Sequence, residues 1–168
     1  MVNDSEAGLQ KLEQLRHMLE DAKAEYSLLT HSETVISAEE GAERGFGSLA
    51  VMAPTLILSS EQGYIAAILS GATRISYKKI RKELGLKNVA LAQPDIVQQV
   101  TGSAIGTVSL INPGLLTILD VRLTEMDRVY GGCGLPQHTL RIRTADLVAL
   151  TQARVFDFAE WKAERQNE

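Results

Sequence analysis

Two glycine-rich segments hold the residues best suited to chemistry in this sequence. Gly102 and Gly106 lead into Thr107, Val108 and Ser109, while Gly131, Gly132 and Gly134 surround Cys133. Clustered glycines let backbone N–H groups converge on one ligand oxygen, which is the physical basis of an anion nest or an oxyanion hole. The competing reading is a pair of tight turns needing positive φ. The first segment is no P-loop, because no Gly-Lys-Ser/Thr follows it. It is no dinucleotide fingerprint either, because a predicted helix rather than a strand precedes it.

The remaining reactive side chains are scattered. His31 follows a predicted strand and precedes a capped helix, a position suited to a pocket edge, and half-buried structural histidine is the alternative. His138 begins a strand beside the second glycine cluster, and His17 falls inside the first helix. No pair has metal-ligand spacing, and one cysteine forms neither a disulfide nor a multi-cysteine site, so neither metal nor cofactor is expected. Cys133 has no base beside it in sequence and reads as a bystander thiol. Arg74, Lys78, Lys79, Arg81, Lys82 and Lys87 form a basic run opposed by Glu83. That run is either a phosphate-contacting helix for RNA or the solvated face of a helix burying Ile75, Ile80 and Leu84. The net charge of −4 and pI near 5.4 carry no whole-chain signal for a polyanion, and DNA is not an expected partner. No apolar run approaches the ~20 residues of a membrane span, and the N-terminus is acidic where a signal peptide is basic. No membrane partner and a cytoplasmic address are expected.

The elements that must position these residues are legible in part. Leu9, Leu12, Leu15, Leu19 and Ala22 recur at helical spacing over residues 5–24, and a strand follows at 26–30. Ser37 with Glu40 is a capping box. Residues 48–60 read as an apolar strand, but Pro54 cannot donate to a ladder, so it marks an edge, a bulge or a strand start. A strand at 64–69, a helix from Ser76 to Gly85, a strand at 88–91 and a helix opening at Pro94 come next. Beyond the 102–114 loop, strands are expected at 115–123, 127–130 and 139–143, then a helix capped by Thr144 and a strand at 155–158. The whole is an α/β (α+β) single domain: one mixed, curved sheet of about six to seven strands, flanked by helices. Its expected parts are an N-terminal helix at 1–25, the main domain at 26–160 and a charged tail at 161–168.

In this order and spacing the chain resembles the YbaK/EbsC-type aminoacyl-tRNA editing domain, related to the insertion domain of bacterial prolyl-tRNA synthetases. The matching pieces run from His31 and the helix after it, through Pro54-Thr55-Leu56 and the loop Gly102 to Ser109, to the strand at 127–130 with Gly131-Gly132 and the closing strand and helix through Asp146. The resemblance implies that fold and an aminoacyl-tRNA partner, whose wrongly attached amino acid is released by ester hydrolysis in trans. It implies catalytic work for the backbone at Gly106, Thr107, Val108 and Ser109. Substrate contacts are implied at His31, Pro54, Thr55, Gly102, Asp127, Gly131 and Gly132, with tRNA contacts at Lys78, Lys79 and Lys82. The chain departs from the family at two points: Pro54 stands where a lysine is usual, and Leu110 where the loop proline is. Two readings follow, a working deacylase or a lapsed relative that binds an aminoacyl group, a nucleotide or a protein without turnover.

Overall fold

The computed structural model describes residues 6–31, 37–43, 45 and 47–163. Helix α1 (Glu6–Asp21) buries Leu12, Leu15 and Leu19, while Leu9 stays exposed. Strand β1 (Tyr26–Thr30) and helix α2 (Ala38–Glu43) follow, and the Glu40 amide donates to Ser37 Oγ at 3.1 Å, as the capping box requires. Strand β2 (Thr55–Ser60) starts immediately after Pro54, and a 3-10 turn (Leu49–Val51) precedes it. The missing proline N–H thus sets where the ladder begins. Next come β3 (Gly63–Ile68) and β4 (Thr73–Ile75). Helix α3 (Tyr77–Leu84) is capped by Ser76 and closed by Gly85 in the left-handed region.

Strand β5 (Val89–Leu91), helix α4 (Pro94–Thr101) and the long loop lead into β6 (Leu116–Asp120). The expected strand at 115–123 is shorter because a 3-10 turn (Val121–Glu125), started by the Asp120 side chain, ends it. Strands β7 (Arg128–Gly131) and β8 (His138–Arg143), helix α5 (Thr144–Thr151), β9 (Arg154–Phe156) and β10 (Ala159–Trp161) complete the order. Thr144 is the first residue of α5 rather than its cap; Arg143 precedes the helix, and the Thr144 hydroxyl has no partner among the described residues. Trp161, expected in a tail, closes β10.

The fold class is a mixed α/β single domain, but its described strands make three sheets rather than one. A five-stranded sheet runs β5-β2-β3-β6-β9, with β2 antiparallel to both neighbours and β3, β6 and β9 parallel. A three-stranded antiparallel sheet runs β1-β8-β7, and β10 pairs with β4. Strand-like bridges join the first two sheets, Met52 to Tyr130 and Ser109 to Gly132. One apolar cluster gathers α1, the three-stranded sheet and α5; a second lies under α3, and a small third joins Ile57, Val97 and Val108.

Candidate active site

A cleft of about 500 Å³ opens where the two larger sheets meet. Three backbone bonds fix that junction. The Ala53 amide donates to the Tyr130 carbonyl at 2.7 Å, Gly71 to Met52 at 2.7 Å, and Leu69 to Pro54 at 3.4 Å. Residues 52–54 are therefore held between β7 and the turn after β3, and Pro54 and Thr55 line the cleft.

The glycine loop forms another wall, through Gly106, Thr107 and Val108. Gly106 has φ +88°, a left-handed conformation that strains other residues. Gly131 and Gly132, also in the lining, serve differently, because neither has positive φ. A Cβ on Gly131 would sit 2.5 Å from Leu110 Cγ, and one on Gly132 would collide with the Val108 carbonyl oxygen. These two glycines permit close approach of two backbones, which the Leu110 amide cements by donating to the Gly132 carbonyl at 3.0 Å. Leu110 itself, at the usual place of the loop proline, is fully buried and fills the space beside Gly131. The Thr107 amide donates to Ala104 at 3.0 Å; the amides of Gly106, Val108 and Ser109 have no acceptor among the described residues.

The side chains expected at the site divide sharply. Gly102 closes α4 in the left-handed region, accepts from Lys11 Nζ at 2.8 Å through its carbonyl, and does not line the cleft. Ser109 turns its hydroxyl to the Ile111 amide at 3.1 Å. Asp127 is a surface residue, its side chain 84% exposed and 3.6 Å from Arg128. His31 stands outside the lining, with Nε2 3.1 Å from Thr139 Oγ1 of the cleft wall. Strand pairing puts His138 opposite Thr30, so this buried histidine lines the cleft in its place, with Nδ1 3.1 Å from Thr30 Oγ1.

The cations divide too. Lys78 and Lys82 are exposed on α3, away from the cleft. Lys79 is held by Asp157 at 3.1 Å and by the Ala159 carbonyl. Arg122 first, then Lys79, keeps the Asp157 carboxyl below its ordinary range. The cationic lining of the cleft consists instead of Arg74, which belongs to β4 rather than α3, and Lys162. Lys162 donates to the Gly71 carbonyl at 3.0 Å and lies 3.5 Å from Glu39. Lys162 escapes sequence reading, and Arg74 is read with the wrong element, because the short ladder of β4 and β10 has no periodicity to announce it. Cys133 is buried in the large apolar cluster, and His17 is exposed beside Glu13.

The described residues of this mixed α/β domain hold no cluster of three histidine, cysteine or carboxylate groups fit for a metal. The profile of the aminoacyl-tRNA editing domain matches residues 32–150, most of the chain, and the chain belongs to that family. A hypothetical protein known by its crystal structure is 26% identical with a TM-score of 0.81, over 89% of this chain and 99% of that one. A candidate trans-editing enzyme for prolyl-tRNA synthetase superposes with a TM-score of 0.80 at 24% identity, over 94% of this chain and 99% of that one. No helix among the described residues is long and apolar enough to cross a membrane.

Proposed function

We propose that the protein is a trans-acting aminoacyl-tRNA deacylase, releasing an amino acid from a mischarged tRNA by ester hydrolysis. The observation that carries this reading is the loop wall, where the Gly106 and Val108 amides lack an acceptor among the described residues, in a cleft that the buried His138 also lines. A water oxygen adds to the ester carbonyl carbon, and the carbonyl oxygen becomes an oxyanion that these N–H groups can stabilise. Each such donor is worth about 10²–10³ in rate. The bond to the ribose oxygen then breaks; one proton of the water ends on the ribose hydroxyl, the other passes to solvent, and the amino acid leaves as its carboxylate. His138, rather than His31, Ser109 or Asp127, is the group suited to orient that water. Pro54 brings no charge, so Arg74 and Lys162 are the cleft's candidates for contact with the tRNA terminus.

The test is ester loss from a panel of mischarged tRNAs. Wild type should hydrolyse at least one, and Gly106→Ala, which strains the loop at φ +88°, should lower that rate by tenfold or more. Pro54→Lys should change it far less. The lapsed reading takes over if wild type and Pro54→Lys are both inert across the panel.

A further inference from the structure

Trp161 is the chain's one tryptophan, and it stands open to solvent. It closes β10 at 52% exposed, while nearby Phe156 and Phe158 pack against each other in the second apolar cluster. A single exposed apolar side chain is ordinary; the setting of this one is not. The Arg122 guanidinium lies over the indole ring, 6.0 Å from its centroid, and is itself fixed by Asp120 at 3.2 Å and Asp157 at 2.8 Å. Asp157 also takes Lys79, whose Nζ reaches the Ala159 carbonyl at 3.4 Å. The ring belongs to none of the three apolar clusters. Charged groups hold it in place, and it buries nothing for the fold.

The ladder carries this ring to the edge of the cleft. Trp161 pairs with Thr73 and Glu160 with Arg74, and both β4 residues line the cleft. Paired residues of an antiparallel ladder are only about 4.5–5.5 Å apart between Cα atoms. The next residue, Lys162, lines the cleft as well, and its amide donates to the Ala72 carbonyl at 2.9 Å. Successive side chains alternate, so Trp161 and Lys162 leave the chain on opposite faces. No described strand pairs with the outer edge of β10. A chain of nucleotides can lie along that edge with a base toward one face and a phosphate toward the other. Arg74 is exposed and has no ion pair among the described residues, not even with Glu160 across the ladder, so its charge is available to a phosphate. Trp161 and Lys162 both lie past residue 150, where the match to the family profile ends.

Resting on the deacylase reading, we propose that Trp161 is a stacking platform for the single-stranded 3′ end of the tRNA. The terminal aminoacyl adenosine enters the cleft, a nucleotide upstream of it stacks on the indole, and Arg74 and Lys162 hold the phosphates between. Stacking on an aromatic side chain needs no particular base, because every base has a π-face, but it needs an unpaired strand. The acceptor end of a tRNA is such a strand, and a duplex is not. A protein partner fits less well, because hot-spot aromatics of protein interfaces sit in desolvated, well-packed pockets, whereas the neighbours of this ring are charged.

The probe is an uncharged acceptor-stem RNA hairpin, ending either in a single-stranded ACCA or blunt. Because Trp161 is the only tryptophan, its fluorescence in the wild-type protein reports the platform directly. The overhanging hairpin should quench it saturably, and the blunt one should not. Anisotropy of the labelled hairpins should show Trp161→Ala weakening binding of the overhang by about fivefold or more, with Trp161→Phe within about twofold of wild type. Arg74→Gln should lower the slope of log affinity against log salt by about 0.7, the loss of one single-strand phosphate contact. Quenching that is absent, or equal for the two hairpins, overturns the proposal. So does a Trp161→Ala variant that binds as tightly as wild type, or a salt slope that Arg74→Gln leaves unchanged. The RNA carries no amino acid, so the two readings fail separately. A wild type that is quenched by the overhang yet inert on every ester defeats the deacylase reading and leaves the platform standing; one that deacylates without quenching does the reverse.

Discussion

Thr55 and Asp120 lie at the same end of the five-stranded sheet, two strands apart: Thr55 pairs with Ile68, and Ile68 with Leu119. Both are buried and polar, yet their treatment is opposite. Asp120, wholly buried, accepts from the Phe158 amide at 2.9 Å, the Arg122 amide at 3.2 Å and the Arg122 guanidinium at 3.2 Å. Thr55 has nothing. The difference separates a polar group that the fold pairs three times from one that it leaves unpaired. Asp120 starts the 3-10 turn and anchors the chain between β9 and β10, so its partners are built in. Thr55 belongs to the cleft lining, and its hydroxyl oxygen is shut off from solvent without a partner among the described residues.

The sharpest way to break this contrast is Asp120→Ala. It leaves the Phe158 amide without its acceptor and Arg122 with Asp157 as its remaining carboxylate, and should destabilise by about 2–3 kcal/mol in urea unfolding, whereas Thr55→Val, which removes an unpaired hydroxyl, should not destabilise. A small loss would mean that the satisfied group matters no more than the orphan. Gly132→Ala comes next, because its Cβ meets the Val108 carbonyl. The two backbones must separate, for about 1–3 kcal/mol, and deacylation should fall with stability, since the loop wall moves.

Asp157→Asn should have a smaller effect, under about 1 kcal/mol, because that carboxylate is half exposed and its pairing is screened. Its folded pKa is lowered, by Arg122 first. The stabilisation is therefore complete above the unfolded value of about 3.9 and is lost as pH falls through the depressed folded value. Wild type and variant, compared by thermal unfolding, should differ at pH 7 and converge in acid; a gap that persists in acid would remove the charge explanation. Least of all should Lys78→Glu with Lys82→Glu disturb the fold, within about 0.5 kcal/mol. Any weakening of tRNA binding should then be salt-dependent, and binding indifferent to both changes would make α3 a solvated face.

Much of the scaffold was legible. Ser76 and Gly85 bracket α3, Pro94 opens α4, and Pro54 marks the start of β2, because caps and prolines act on their immediate neighbours. The glycine clusters were also found, although Gly131 and Gly132 proved to serve close approach rather than turns. What could not be read was register. Nothing local says that Thr30 faces His138, and that pairing alone exchanges one histidine for another at the cleft. Strands β4 and β10 are three residues each, too short for alternation to appear. Arg74 therefore read as part of a basic helix, and Trp161 as part of a tail. Asp127 looked like a strand residue in a motif, and its exposure follows from lying one residue before β7 begins.

Helix α1 lies before the span that the family profile matches, yet Leu12, Leu15 and Leu19 share one cluster with Leu110 and Cys133 beside the two glycine segments. Lys11 Nζ reaches 91 positions along the chain to the Gly102 carbonyl, and Lys11 is also the neighbour of Gly134. In mechanical terms α1 is a brace, tying the glycine that closes α4 to the second glycine cluster. No described residue of α1 lines the cleft, yet amide exchange in the loop should keep time with that helix.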